Sequence, residues 1–562
     1  HHDTPHHIGP PEATPPSAAA PAASVNTAAE RAALAQGTEE AAQHSLEQSA
    51  STGAVHSDAS LSPFAPLSVP VFRMLWLTWV AANTTSPVLV ALVQSASTLP
   101  VFLLGLPSGA LADILDRRRY FMATQFWVAA VAVVLAFAIV SGGMTAPLLL
   151  ALTFANGIGL AMRWPVFAAI VPELVSRPQL PAALALNGVA MNASRIIGPL
   201  LAGAIIASAG SAWVFVLNAV LSVLSGLVIM RWKREHIPSP LGRERLPSAM
   251  RVGVQFVRQS PRMRAVLWRI SVFFLHATAL MALLPLVAKG LEGGGAGTFT
   301  LLLASMGAGA IVAALFLPRL RQAMPRDALV LRGTLVQAAA TGVMAWAPNV
   351  YVAVPAMVLA GMAWITTANT LSVSAQLALP NWVRARGMSI YQMSIMGATA
   401  AGAALWGQVA SLTDVQTSLA VAAVSGGIVM AVVQRLVADR AIEEDLSPSS
   451  AFKAPTAPTP PEAGRVVVTI EYFIRPARAN EFRAVMQESR RSRLRQGALD
   501  WQLMHDISNP TRYVERIEDE SWTEHLRRFD RVTASDVALR ERKLAFHTGD
   551  APPKVTRWTV ER

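Results

Sequence analysis

Ionisable side chains inside long apolar stretches are costly and mark functional positions by default. Four stand in such stretches here: Arg163, Arg195, Arg269 and His276. Arg195 lies about midway along its stretch and is best placed to meet an anionic group or a carboxylate partner. Arg163 and Arg269 lie near enough to segment ends for their guanidinium groups to snorkel out. For His276 a neutral, hydrogen-bonded imidazole is the simpler role, and a proton relay the alternative. Gln94, Asn156, Asn187, Asn192 and Asn369 add uncharged hydrogen-bonding groups, suited either to a polar cavity or to bonds between helices. No Asp or Glu falls in the middle of a complete stretch. A titrating group is then His276, or a carboxylate in a part of the first stretch that this chain lacks, or coupling is absent. With zero Cys, disulfides, thiolate metal sites and Cys nucleophiles are excluded. The opening HHDTPHH gathers imidazoles without a scaffold to fix them, so neither a metal site nor a cofactor is expected.

The elements that must position these groups follow from composition. Of 562 residues, 53% are hydrophobic and 15% charged, well below the charged fraction of about a quarter in soluble domains. Apolar segments run roughly over 70–82, 88–112, 120–141, 145–166, 182–208 and 211–232, then 265–288, 297–318, 328–347, 350–372, 388–411 and 416–437. Most are long enough to cross a bilayer as helices. The chain therefore reads as an all-α polytopic membrane protein with six helices on each side of a basic connector, 233–264. A net charge of +12 invites a nucleic-acid reading, but the Arg residues cluster at segment ends, where they meet lipid headgroups; no nucleic-acid partner is expected. Basic joints such as Asp116–Tyr120, Arg319–Arg326 and Arg384–Gly387 alternate with nearly uncharged ones. Positive charge stays on the cytoplasmic side during insertion, which puts both termini in the cytoplasm of an inner-membrane protein. Residues 1–62, rich in Ala, Pro, Ser and His, read as a disordered tail with no signal-peptide pattern.

Shifting the sequence by 204 positions lays one half on the other. Gly157 falls on Gly361, Gly198 to Gly203 on Gly402 to Gly407, Gly105 on Gly309 and Arg117 on Arg321. Gly309 follows Trp268 by 41 residues, whereas Gly105 follows Trp76 by only 29, so the first segment is about a dozen residues short and breaks at Asn83–Pro87. At about 1.5 Å per residue such a helix cannot cross alone. The expected domains are 63–232, the connector, 265–440, a Pro-rich linker 441–464 and a soluble domain 465–562.

Two six-helix halves repeated in the same orientation resemble the major facilitator transporters. The joint GALADILDRRRY resembles their loop signature, with Gly109, Asp113, Arg117 and Arg118 in place and Asp116 where the signature has Gly. In that family the loop is a conformational latch; plain charge anchoring would account for the arginines but not for Gly109 and Asp113. Gly198, Pro199 and Gly203 resemble a packing and bending element of proton-linked antiporters, the last Gly of which is Ala204 here. With VPELVSRPQLPAALALN, Val171 to Asn187, the stretch from Pro70 to the C-terminus resembles the enterobactin-exporter-like, or transmembrane secretion effector, branch. The resemblance implies a major facilitator fold and export of a siderophore-like or drug-like molecule by alternating access, with possible proton antiport.

The last hundred residues read strand–helix–strand–strand–helix–strand, a ferredoxin-like α+β pattern. They resemble the antibiotic-biosynthesis-monooxygenase type of domain. His505, Trp501, Trp522 and His525 are its candidate site residues, yet they make no acid–base pair by themselves, so self-association or sensing is expected there and not catalysis. A membrane-anchored enzyme acting through this domain, or a non-transporting paralogue, is the alternative.

Overall fold

The structure, a computed structural model, describes residues 66, 69–75, 94–143, 145–234, 239–292, 296–438 and 444–561. The break at Asn83–Pro87 and the N-terminal His cluster lie outside them; of the shortened first segment only 70–75 is described, as helix, with Phe72 and Leu75 buried. The chain divides into a helical unit up to Leu446 and a C-terminal unit from Ser447.

In the helical unit, α1 (Gln94–Ile114), α2 (Arg117–Val140), α3 (Ala146–Leu174), α4 (Leu180–Ala209) and α5 (Ser211–Met230) belong to the first half. After α6 (Leu246–Gln259) come α7 (Pro261–Gly290), α8 (Ala296–Ala323), α9 (Arg326–Ala345), α10 (Val350–Ala378), α11 (Arg384–Leu412) and α12 (Val415–Ala438). Among the described residues nine helices, α2, α3, α5 and α7 to α12, are long and apolar enough to cross a membrane. Their outward faces carry exposed Phe137, Val140, Leu227, Phe316 and Val424, which only a lipid environment tolerates in such number. Trp213, Trp346 and Tyr351 stand exposed at joints between helices, as aromatic side chains do at a membrane interface.

The repeat is structural from α3 onward. Thr145 caps α3 by accepting the Leu148 N–H, and 204 positions later Asn349 caps α10 by accepting the Val352 N–H. Both helices are 29 residues long, and each is followed by a single 3-10 turn, Arg177–Gln179 and Asn381–Val383. Packing repeats too: α1 lies on α3 as α8 on α10, and α2 on α5 as α9 on α12. The halves meet where α1 packs on α11 and α4 on α8. One register expectation is corrected. Arg117 opens α2, whereas Arg321 sits in the last turn of α8, because α8 runs on to Ala323 while α1 already ends at Ile114, which 204 positions later would be 318; the two are not equivalent.

The connector is more than a charged tether. Its α6 buries Ala249, Val252, Gly253, Phe256 and Val257, a 3–1–3–1 spacing that forms one face of a helix, and packs on α1, α7 and α11.

The C-terminal unit holds β1 (Val466–Phe473), α13 (Ala479–Arg495), β2 (Asp500–His505), β3 (Arg512–Asp519), α14 (Trp522–Asp530), α15 (Ala534–Leu544) and β4 (Val555–Thr559). The antiparallel sheet has the order β2-β3-β1-β4, the ferredoxin-like topology. Phe482 and Met486 of α13 bury against Val468, Tyr472, Tyr513 and Ile517. Gly497, at φ 111°, turns the chain out of α13 in a conformation only Gly adopts without strain. Ser447 and Ser449 dock the preceding segment onto this unit through backbone bonds with Ala534 and Val532.

Candidate functional site

The two halves enclose a cavity of about 260 Å³ between α3, α4, α10 and α11. Trp164, Phe167, Ile365 and Met388 give it a largely apolar wall, and Asn187, Asn369, Gln376, Tyr391 and Gln392 are its polar points. Two of these polar residues have buried amide oxygens without hydrogen-bond partners among the described residues: Asn187, and Gln376, whose Nε2 donates to the Ala168 carbonyl at 2.9 Å. Asn369 is held differently: its amide oxygen accepts from Arg321, reaching in from the end of α8. Arg321 has no carboxylate partner among the described residues, and its Nε is buried without an acceptor. Such a cation beside an apolar cavity favours an anionic guest.

Of the residues singled out in the sequence, the cavity brings together Asn187 and Asn369. Arg163 is fully buried beside the cavity residue Trp164. Asn156 is buried about two turns further along α3 and does not line the cavity. His276 sits within the second half; its Nδ1 donates to the Val272 carbonyl at 2.7 Å and its ring lies 5.8 Å from Trp406, a structural setting away from the cavity. Arg269 is paired with Asp327 at 2.7 Å and bonds Gln434. The side chains of Gln94, Asn192, Arg195, Gly198, Pro199 and Gly203 lie outside the described residues; α4 is an unbroken helix through its five positions.

A buried polar cluster ties the end of α1 and the start of α2 to the start of α11. Asp113, at the end of α1, accepts the backbone N–H groups of Ala385 and Arg386 at 3.0 and 2.9 Å, where the first turn of α11 leaves them without helical partners. It also accepts from Arg386 Nε at 2.9 Å and Arg117 Nη2 at 2.8 Å. Arg117 reaches Glu173 at 2.8 Å and both the side chain and carbonyl of Asn381 at 2.6 Å. Arg386, wholly buried, continues into α6 through Glu244 and the Ala249 carbonyl. Gly109 lets α1 and α11 approach this closely: a Cβ there would lie 2.7 Å from the Ala385 carbonyl and collide with Ser389. Arg118 bonds the Met230 carbonyl at 2.7 Å instead, tying α2 to α5 within its own half. Asn381, Glu173, Glu244 and Arg386 are not picked out as site residues by the sequence. Glu173 lies inside the quoted stretch Val171–Asn187 and Arg386 inside the basic joint Arg384–Gly387, but the partner of Glu173 and Asn381, Arg117, is 56 and 264 positions away.

The sequence profile described as transmembrane secretion effector matches residues 61–562. The chain belongs to this family of major facilitator transporters. Transmembrane secretion effectors are a family of transporters, not of enzymes. The matched range extends through the C-terminal unit. Among curated relatives, the staphyloferrin A transporter of Staphylococcus aureus is 24% identical over 251 residues, 43% of this chain and 62% of that protein. Solved structures share the fold. The E. coli fucose:proton symporter superposes with TM-score 0.55 at 17% identity, over 67% of this chain and 99% of that one. The human organic anion transporter MFSD10 gives 0.52 at 18%, over 65% and 97%. A bacterial homologue of the iron transporter ferroportin gives 0.51 at 16%, over 66% and 100%.

In the C-terminal unit the four residues named from sequence do not converge. His505 stacks on Tyr513 at 4.2 Å near the surface. Trp501 donates to Glu515 at 2.9 Å, and Trp522 packs 5.5 Å from His525. His525 Nδ1 donates to Asp519 at 2.8 Å while its Nε2 accepts from Arg557 at 3.0 Å, which fixes a neutral imidazole; burial, with Arg528 and Arg557 close by, pushes its pKa down despite Asp519. Among the described residues no group of three or more His, Asp or Glu is arranged to hold a metal.

Proposed function

We propose that this transporter exports a small amphipathic molecule carrying an anionic group, siderophore-like or drug-like, by alternating access of its two halves around the 260 Å³ cavity. The observation that carries the reading is Arg321, which does not itself line the cavity, held to the lining residue Asn369 in a largely apolar wall that also carries two amide oxygens without hydrogen-bond partners among the described residues. The apolar wall takes the body of the substrate, the amide oxygens its donors, and Arg321 its charge. The staphyloferrin A transporter among the relatives supports a small polar cargo. The Asp113 cluster closes the end we assign to the cytoplasm, since the basic joints lie there. Export then requires this cluster to break so that substrate enters, and to re-form as the cavity opens outward. Proton antiport is the expected coupling, and inner-membrane placement with cytoplasmic termini the expected topology; self-association through the C-terminal unit is compatible with both.

The test is accumulation of matched anionic and neutral dyes or chelators in cells carrying the chain or its Arg321→Gln variant. Expected is efflux of the anionic compound by the parent chain, lost about tenfold or more in Arg321→Gln, with smaller loss for the neutral one. Anionic efflux equal in both, or at empty-vector level in the parent for every compound, defeats the proposal. Collapsing the proton gradient during the same assay tests the coupling.

A further inference from the structure

The C-terminal unit contains a second cavity, about 100 Å³, between the sheet and its three helices. Five cations line it: Arg493 on α13, Arg528 on α14, Arg540 and Lys543 on α15, and Arg557 on β4. Three carboxylates touch this cluster. Glu515 lies 3.7 Å from Arg493 and 3.8 Å from Lys543; Asp519 takes Arg528 in a bidentate pair at 2.7 and 2.9 Å; Asp536 lines the wall but is bonded to Ser492, Gln496 and Thr533. With Glu541, which also attracts Arg540, five cations face four carboxylates, and the cavity keeps a net positive charge. Arg557 is the least compensated: its one hydrogen bond runs from Nε to the neutral His525, and among the described residues it has no carboxylate partner. The rest of the wall is apolar, from Val468, Ile470, Ile517, Phe529, Leu539 and Val555. Phe452, from the segment before β1, also lines the cavity and lies 4.7 Å beneath the Arg540 guanidinium.

Gathering like charges in a half-buried space is unfavourable unless something relieves it. Both signs of strain are present. Burial pushes the Lys543 ammonium down to about 8, and Arg493 and Arg540 press the same way against what Glu515 and Asp536 return. Burial also lowers Arg557, with Arg528 and Arg493 adding to it. The arrangement serves no catalytic step described above and lies in the unit that the transport reading leaves without a task.

We propose that this cavity is a binding site for a small oxyanion, a carboxylate or phosphate, held by Arg557, Arg493 and Arg540 with its apolar part against the β1–β4 face. At about 100 Å³ the cavity suits inorganic phosphate or a small carboxylic acid better than a drug-sized molecule. It would then serve as a sensor or regulatory subsite apart from the transport route. This inference does not depend on the substrate proposed above.

Calorimetric titration of the purified full-length chain in detergent, at low ionic strength, tests it with inorganic phosphate, benzoate and, as a neutral match, benzamide. Saturable binding of phosphate or benzoate at millimolar concentration is expected, the stronger of the two naming the oxyanion, with none for benzamide. Arg557→Gln and, separately, Arg540→Gln should weaken it by about tenfold or more, Arg557→Lys less, and Arg465→Gln, an exposed cation of the same unit outside the cavity, should leave it unchanged. Circular dichroism confirms that each variant is folded. The proposal is overturned if neither anion binds saturably, if benzamide binds as well as benzoate, if the folded Arg557 and Arg540 variants bind as the parent does, or if Arg465→Gln removes the signal.

Discussion

Replacing Asp113 by Asn should release the closed end of the helical unit. Four donors converge on this carboxylate, but they do not all count. The bond from Arg117 stays within one half and is available whether the halves are latched or apart, so it cancels. The two backbone N–H groups of Ala385 and Arg386, and Arg386 Nε, come from the other half and are lost on opening. Each charge-assisted bond is worth roughly 1.5–3 kcal/mol where water is excluded. Hydration of the separated groups returns much of that, which brings the net cost of breaking a buried ion pair on one side to about 3–5 kcal/mol. Asn keeps one acceptor oxygen and the side-chain shape but loses the charge and presents an NH2 to Arg386, so we expect the lower end, about 3 kcal/mol. That is roughly a hundredfold shift of the latched-to-open equilibrium.

The absence of Cys makes the measurement direct, since two introduced thiols are the only labelling sites. Arg119→Cys and Gln322→Cys, exposed positions at the ends of the two halves, carry spin labels for distance distributions by pulsed electron resonance. The parent should give one short-distance population and Asp113→Asn a second, longer one of comparable weight. A single unchanged peak in the folded variant would show that these bonds do not set the equilibrium, and the latch reading would be wrong.

Three further outcomes follow from the same geometry. Gly109→Val should lengthen the same distance, because its Cβ would meet the Ala385 carbonyl at 2.7 Å and Ser389 closer still, forcing α1 from α11; a parent-like distribution would show that the helices can yield. Arg234→Ala should shift it little, by less than about 1 kcal/mol: its pairs with Asp116 and Glu173 are partly exposed and lie within one half. In the C-terminal unit, Lys543 and Arg493 outweigh burial and hold Glu515 at about 2, and Arg528 with His525 does the same for Asp519. Carboxylates with lowered folded pKa values stabilise above their unfolded values of 4.5 and 3.8 and lose that contribution as pH falls toward 2; His525, also lowered, weakens the fold in the same direction below 6.5. Hydrogen exchange of β1 and β3, corrected for intrinsic rate, should therefore show opening that becomes easier from pH 6 to 3, by roughly 2 kcal/mol for Glu515, the part of its shift that lies between 4.5 and 3. Protection independent of pH over that range would contradict the assignment.

The fold was legible because apolar segment length and a 204-residue repeat are properties of sequence alone. The same patterning made α6 readable in principle: its 3–1–3–1 face was there, hidden among the basic residues of the connector. The C-terminal strands and helices were equally plain from alternation. The cavity was half legible, since Asn187 and Asn369 are polar residues in apolar helices. Arg321 was not, because from sequence it is one more basic residue at a segment end, and only the packing of α8 on α10 brings it to Asn369.

What the repeat does not preserve separates the roles of the two halves. Shifting by 204 puts Ala313 at the place of Gly109, Leu317 at that of Asp113 and Leu377 at that of Glu173. The second half therefore has none of the carboxylates that make the latch, and supplies its receptors instead: the first-turn N–H groups of α11, Arg386 and Asn381. With no carboxylate at the end of α8, Arg321 is not drawn into an ion pair there and turns to Asn369 at the cavity. One loss of charge thus gives both features. On the function proposed above, the first half holds the gate and the second half presents the cation that meets the cargo; a carboxylate introduced at Leu317 should then capture Arg321 and cost anionic efflux while leaving the latch distances as they are, and efflux unaffected by Leu317→Asp would break this link.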